Sequence, residues 1–389
     1  MSRVALSAWL SELESGARPK GGIREGVGEI PSLGAEHLTD DGGFNFSKDK
    51  RIPREFFHSM TKGRIRPNDI LIVKDGATTG KVSFVDDDFP YEDAAVNEHV
   101  FIVRVSNKKA DPKFVFRYLQ TPQGQSEIMS DFRGATVGGI GRTFVEKVTL
   151  PTVAVDEQRR IASILDKADA IRRKREQTVA LSDDFLRSVF LDMFGDPTKV
   201  GNHEPTLSEV ATISRGRFSP RPRNDPRYYN GDFPFIQTGE IANSISYLSK
   251  YRQTLNEAGT KVSKSFPPGT VFIAIVGATI GATTVSTRRF WCPDSVIGIV
   301  PKSPAVPAEF IEFLLRFWRP VFVATAPSTA RANINLQTLN VVRVPKADTD
   351  APARFAEIFR RTYAFKQKLE QMDSGLLPAL SQRAFAGEL

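Results

Sequence analysis

Gly76-Ala-Thr-Thr-Gly80-Lys81-Val82 is the first stretch whose residue types suit chemistry, because glycines free a backbone to cradle phosphate and a lysine beside them adds charge. Its spacing fails that test. Three residues, not four, separate the glycines, and Val82 stands where a Ser or Thr would hold a metal. The turn recurs as Gly277-Ala-Thr-Ile-Gly281 with Ala282 in place of the lysine, so both read as tight strand-to-strand turns in which glycine supplies positive φ. Gly134-Ala-Thr-Val-Gly-Gly-Ile-Gly141 lacks the preceding strand and following helix of a dinucleotide fingerprint and reads as a flexible, ligand-facing loop. Asp86-Asp-Asp88 with Glu92 and Asp93 has the oxygen ligands of a hard-metal nuclease site, but Phe89, Pro90 and Tyr91 within it favour a surface turn. His37, His58, His99 and His203 are scattered and Cys292 is the only cysteine, which disfavours a zinc site and forbids an intrachain disulfide. There is no Gly-x-Ser-x-Gly elbow, and no Asn or Asp followed by Pro-Pro and an aromatic.

What is left is binding. Arg215, Arg217, Arg221, Arg223 and Arg227 are interleaved with Phe218, Tyr228 and Tyr229, a combination of guanidinium forks and aromatic faces that suits a phosphate backbone. Charge is concentrated there: residues 194–349 hold 18 basic and 11 acidic side chains, so +7 of the chain's net +8 falls in that stretch. The competing reading is a solvated loop braced by Pro220, Pro222 and Pro226. At 389 residues with 40% hydrophobic and 25% charged content, the chain has the composition of a globular protein of two or more domains. The apolar run from Val271 to Val285 is broken by Gly277 and Gly281 and falls short of the roughly 20 residues of a bilayer span, and Glu12 and Glu14 interrupt any signal-peptide core. A reducing, cytoplasmic setting without membrane contact is expected.

The elements that position these residues are written twice. Besides the Gly-Ala-Thr-x-Gly turns, Ile30-Pro-Ser-Leu33 aligns with Phe233-Pro-Phe-Ile236, Leu6-Ser7 with Leu207-Ser208, and Phe144-Val-Glu-Lys-Val-Thr-Leu-Pro151 with Thr338-Leu-Asn-Val-Val-Arg-Val-Pro345. Landmarks kept in order at near-constant separation indicate an internal duplication. Each copy begins with some 150 residues of short strands and turns and ends in about 40 with helical spacing. Phe355, Ile358, Thr362, Phe365, Leu369, Met372, Leu376 and Ala379 form a heptad seam, and Ile161, Ile164, Leu165, Ala168, Ile171, Val179, Leu186, Val189 and Met193 a less regular stripe. Asp156 is the expected N-cap of the first helix, Gly195-Asp-Pro197 its stop, and Pro378 an early kink in the second. A helix over 155–193 would span about 58 Å at about 1.5 Å per residue, which favours an antiparallel pair over burial in one domain. The fold expected is α+β: two similar globular domains separated by two long antiparallel coiled-coil helices, a pseudo-two-fold internal repeat. The expected divisions are 1–152, a helix over 153–195, 196–346, and a second helix over 347–389.

The sequence resembles the specificity subunit of type I restriction-modification systems over essentially its whole length. The resemblance is carried by the duplicated half, the stretch Pro234-Phe-Ile-Gln-Thr-Gly-Glu-Ile241, the Gly-Ala-Thr-x-Gly turns, Asp156-Glu-Gln-Arg-Arg-Ile-Ala-Ser-Ile-Leu165, Met193-Phe-Gly-Asp-Pro197 and Gln382-Arg-Ala-Phe-Ala-Gly-Glu-Leu389. The second spacer departs from the pattern, with Ala351-Pro-Ala-Arg354 in place of the Glu-Gln-Arg opening. The resemblance implies two target recognition domains, each reading half of a split site on double-stranded DNA. It implies spacer helices that dock two DNA methyltransferase subunits, and separate restriction subunits. S-adenosylmethionine would then belong to the methyltransferase, and ATP and Mg to the restriction subunit, with no cofactor, metal or catalytic residue in this chain.

Base and phosphate contacts are expected at Arg18, Lys20, Arg24, Thr78, Thr79, Lys81, the arginine patch with Tyr228 and Tyr229, Gln237, Thr238, Arg331, Asn333, Asn335 and Gln337. Ile164, Ile171, Leu186, Phe355, Ile358, Phe365, Leu369, Met372 and Leu376 are expected to line the helix pair and its partners. Two other readings stay open on the residues alone: a self-sufficient DNA methyltransferase or nuclease with unrecognised catalytic residues, and a non-catalytic coiled-coil scaffold. Activity of the isolated chain would single out the first. Absence of salt-dependent DNA affinity would single out the second.

Overall fold

The computed structural model describes the chain apart from residues 1, 24, 135–137, 245, 326–333, 346–349 and 374 and the side chains of 370 and 373. The chain divides into two compact units, residues 1–175 with 372–389, and residues 176–371. The boundaries fall inside the spacer helices, so each unit takes a share of both.

In the first unit, β1 (Leu10–Ser15), β4 (Ile70–Val73), β5 (Val82–Phe84) and β7 (Val100–Val105) form a sheet in the order β1-β7-β4-β5. A smaller sheet, β3-β2-β6, joins β2 (Ile30–Leu33), β3 (Arg51–Ile52) and β6 (Ala95–Val96), with β2 parallel to β6. In the second unit, β8 (Ala211–Arg215), β16 (Val296–Pro301), β13 (Val271–Ala274), β14 (Thr283–Ser286) and β10 (Tyr247–Leu248) lie side by side in that order. The companion sheet runs β11 (Gln253–Leu255), β9 (Tyr229–Phe235), β15 (Phe290–Cys292) and β12 (Lys264–Phe266), again with a parallel pair, β9 and β15. The strand order of these two sheets is thus repeated, with β10 and β12 added. Strands β4 and β13 are buried along their whole length because both of their faces are covered, which is why they read as continuous apolar runs. Ile70 and Ile72 face a core shared with helices, while Leu71 and Val73 face Leu33 and Val96 of the smaller sheet. Gly76, Gly80, Gly277 and Gly281 all have positive φ, as tight turns between the antiparallel pairs β4–β5 and β13–β14 demand.

The helices include α1 (Pro112–Leu119), α2 (Pro122–Met129), α3 (Val155–Phe194), α4 (Thr238–Ala242), α5 (Ala308–Thr325), α6 (Leu336–Asn340), α7 (Ala351–Asp373) and α8 (Leu376–Ala386). Within the first unit, Arg160 donates to the Leu389 carbonyl at 2.8 Å and Arg175 to the Met372 carbonyl at 3.0 Å, so this part of α3 runs antiparallel to the chain's last segment. Within the second, Phe190 meets Phe355 at 5.1 Å between rings and Asp183 meets Lys366 at 2.8 Å, which sets α3 antiparallel to α7. The paired-helix expectation therefore holds inside each unit.

Three details differ from the sequence reading. The second spacer is two helices: Gly375, at φ 108°, separates α7 from α8, and Pro378 sits harmlessly in the first turn of α8, where no backbone donor is needed. Asp156 lies inside the first turn of α3, not before it, and pairs with Arg159. The heptad seam is displaced. Phe355 and Leu186 are buried as expected, and Ile164, Ile358 and Leu369 are half-buried, but Ile171, Phe365, Met372 and Leu376 are 44%, 49%, 54% and 41% exposed. Phe359 and Lys366 take the inward places instead, because Lys366 turns in to meet Asp183 and carries Phe365 outward with it.

Candidate nucleic-acid interface

The Gly76–Gly80 turn projects from the sheet edge beside α1 and α2. Thr79 donates its hydroxyl to the Gly76 carbonyl at 2.7 Å, Lys81 pairs with the exposed Asp40 at 2.8 Å, and Gln125 donates to the Gly80 carbonyl at 3.1 Å. Thr78, Thr79 and Lys81 line an open cavity of about 370 Å³ with Asp40, Gln120 and Gln125. Three of the expected contact residues thus share one site, polar and solvent-facing. Arg18 is held by Glu98 at 2.8 Å, Lys20 is exposed, and Arg24 lies outside the described residues.

In the arginine patch every member is engaged by the protein. Arg223 pairs with Asp294 at 2.6 Å and Arg227 with Asp225 at 2.7 Å, while Arg215 donates to the Asp294 carbonyl. Arg221 donates to the carbonyls of Phe218 at 3.1 Å and Pro220 at 2.8 Å, and Arg217 to that of Ser263 at 3.3 Å. Tyr228 lies under the Arg227 guanidinium at 5.9 Å, and the Tyr229 hydroxyl donates to the Arg223 carbonyl. These donors brace the Pro-rich loop.

Gln237 donates its side-chain amide to that of Gln253 at 2.6 Å, and Thr238 opens α4. Asn335 caps α6, its carbonyl oxygen accepting from the Thr338 backbone at 2.8 Å, whereas Gln337 in the same helix is exposed. Arg331 and Asn333 lie outside the described residues.

Sequence reasoning missed the polar anchors between each domain and its helices. In the first unit, Arg117 of α1, itself buried, reaches Asp166 at 2.7 Å and Asp169 at 3.1 Å on α3. Burial alone would push the Asp169 carboxyl up, but Arg172, Arg117 and Arg173 hold it below the ordinary aspartate range. In the second unit, Arg360 of α7 binds Glu309 of α5 at 2.7 Å, and Tyr247 donates to the same carboxylate at 2.8 Å. Burial opposes ionisation of Glu309 too, and Arg360 with Tyr247 overcomes it, so its carboxyl titrates low. The i, i+3 and i, i+4 placement of Arg172 and Arg173 after Asp169 was the available signal. Among the described residues no group of three or more His, Cys, Asp or Glu side chains is arranged to hold a metal ion, and no helix is long and apolar enough to cross a membrane.

A family model described as the type I restriction modification DNA specificity domain matches this chain twice, over residues 10–181 and 200–371. A solved S subunit of a type I restriction-modification system from M. genitalium matches at a TM-score of 0.62 and 15% identity, covering 99% of this chain and 96% of that one. A second solved chain, from a structural study of complex assembly and conformational transition of the type I R-M system, matches at 0.57 and 16%, covering 100% and 98%. At these identities the structural likeness is one of fold.

Proposed function

The chain belongs to the type I restriction-modification DNA specificity family, and from that premise we propose that it reads an asymmetric bipartite site on double-stranded DNA without catalysing any reaction itself. The observation that carries this reading is the repeated sheet topology: two units share one strand order while their loops differ in sequence and charge. Similar frameworks with different loops suit two half-sites of different sequence, and the length of α3 would govern the distance between them.

The spacer helices would dock methyltransferase subunits, two being the number that suits a duplicated chain. Leu181, Phe185 and Phe365, between 49% and 57% exposed on α3 and α7, supply apolar surface for that contact. Methyl transfer from S-adenosylmethionine would belong to those subunits, and ATP- and Mg-dependent steps to restriction subunits, in a cytoplasmic complex associated with the nucleoid when on DNA. To test the reading, the purified chain is combined with its cognate methyltransferase and S-adenosylmethionine, and the modified DNA is sequenced. A split, asymmetric motif is expected. Methylation or cleavage by the isolated chain, or modification with no defined motif, would overturn it.

A further inference from the structure

The duplication supplies an internal control for charge. Where the first unit leaves β5 it carries Asp86-Asp87-Asp88, and 201 residues later, leaving β14 of the second unit, stand Thr287-Arg288-Arg289. The Gly-Ala-Thr-x-Gly turns just upstream keep the same offset, 76 against 277, so the two segments occupy one place in the repeated topology. Asp86, Asp87, Asp88 and Glu92 are exposed, and among the described residues none of them has a cation in ion-pair range. A polyanion is repelled there.

The second unit presents the opposite field. Arg288 and Arg289 are exposed, and the loop between β10 and β11 brings exposed Lys250 and Arg252 beside them. Three contacts fix this neighbourhood: β10 pairs with β14 through Leu248 and Ser286, Thr287 donates its hydroxyl to the Leu248 carbonyl at 3.3 Å, and the Tyr251 ring lies 6.0 Å from Phe290. Among the described residues no carboxylate lies in ion-pair range of these four cations, and the one side-chain partner of Arg289 is the Ser265 hydroxyl at 3.4 Å. In the arginine loop, by contrast, Arg223 and Arg227 are already paired with carboxylates, while Arg215, Arg217 and Arg221 donate to backbone carbonyls. Unneutralised cations on short, well-packed strand connections are the groups that can release counterions from a phosphate backbone.

We propose that Lys250, Arg252, Arg288 and Arg289 form a phosphate-binding edge of the second unit that carries duplex DNA, and that the first unit has no counterpart to it. The proposal rests on the DNA-reading function above. Phosphate contacts position a duplex without reading it, so this edge contributes affinity common to all sequences, and base readout falls to other loops.

The test is a salt titration of full-length chain on a labelled duplex. Removing one cation from a phosphate lowers the slope of log affinity against log salt by about 0.9, so K250A/R252A should lower it by about two units, alike on specific and random duplexes. R288D/R289D, which writes the first unit's charges into the second, should lower it at least as far. A wild-type slope in both K250A/R252A and R288D/R289D would overturn the proposal. So would a wild-type slope accompanied by failure of methyltransferase assembly, which would assign the edge to an acidic protein surface. If the unaltered chain has no salt-dependent affinity for duplex DNA, the DNA-reading function itself fails, a result distinguishable from either.

Discussion

The two units anchor their spacer helices with ion pairs of opposite polarity. In the first, the cation is on the domain helix and the anions on the spacer, Arg117 against Asp166 and Asp169. In the second the anion is on the domain helix and the cation on the spacer, Glu309 against Arg360, and a second spacer cation, Lys366, is buried against Asp183 across the helix pair. One topology therefore carries two locks whose charges do not interchange. A helix segment placed against the wrong domain would bring like charges together, so the difference specifies which helix pairs where.

The largest effect on this comparison should come from the apolar half of the second lock. Phe190 is fully buried, with ring centroids of Phe310, Phe313, Phe317 and Phe355 between 5.0 and 5.6 Å away. Phe190→Ala should destabilise the second unit by about 3–5 kcal/mol and leave the first unit's protection unchanged, as read by amide hydrogen exchange resolved by segment. Asp169→Ala should come next. It leaves buried Arg117 with Asp166 as its one carboxylate beside the Gln120 side-chain oxygen, and a loss of about 3 kcal/mol confined to the first unit is expected in denaturant unfolding. Glu309→Ala should cost less, about 1 kcal/mol, because its partner Arg360 is half in solvent.

The smallest effect is one of pH. A carboxyl with a depressed pKa in the folded state contributes stability that is fully present above its unfolded value of about 4 and is lost as pH falls through the folded value. Asp169 has such a depressed carboxyl, since its arginine neighbours outweigh burial. Stability of the first unit should therefore decline as pH falls below about 4, and Asp169→Asn should flatten that decline, which acid melts of the two proteins would reveal.

How much of this was legible in the sequence depends on which signal carried it. Duplication, the strand-to-strand turns and the long first helix were readable, because glycines with positive φ, apolar runs and helical spacing are local signals. The seam was readable only where apolar residues fill it. Counting apolar positions places Phe365 inward and passes over Lys366, whose burial depends on Asp183, 183 positions away in the chain. The break at Gly375 is displaced onto Pro378 for a related reason: a proline in the first turn of a helix costs nothing, and glycine with left-handed φ ends one. In the candidate interface the arginine count locates charge without revealing its partners. Arg223 faces Asp294, 71 positions on, whereas Arg288 and Arg289 face no carboxylate among the described residues, and no local pattern separates those cases.

If the spacer helices set the distance between two different readers, lengthening them must lengthen the DNA site. One heptad is inserted in α3 at the 175/176 boundary and a matching heptad at 371/372, which preserves helix faces and adds about 10 Å. With cognate methyltransferase, sequencing of the modified DNA should return both half-sites unchanged and a gap longer by about 3 base pairs at about 3.4 Å each. An unchanged gap in a folded, active complex, or altered half-sites, would contradict that dependence.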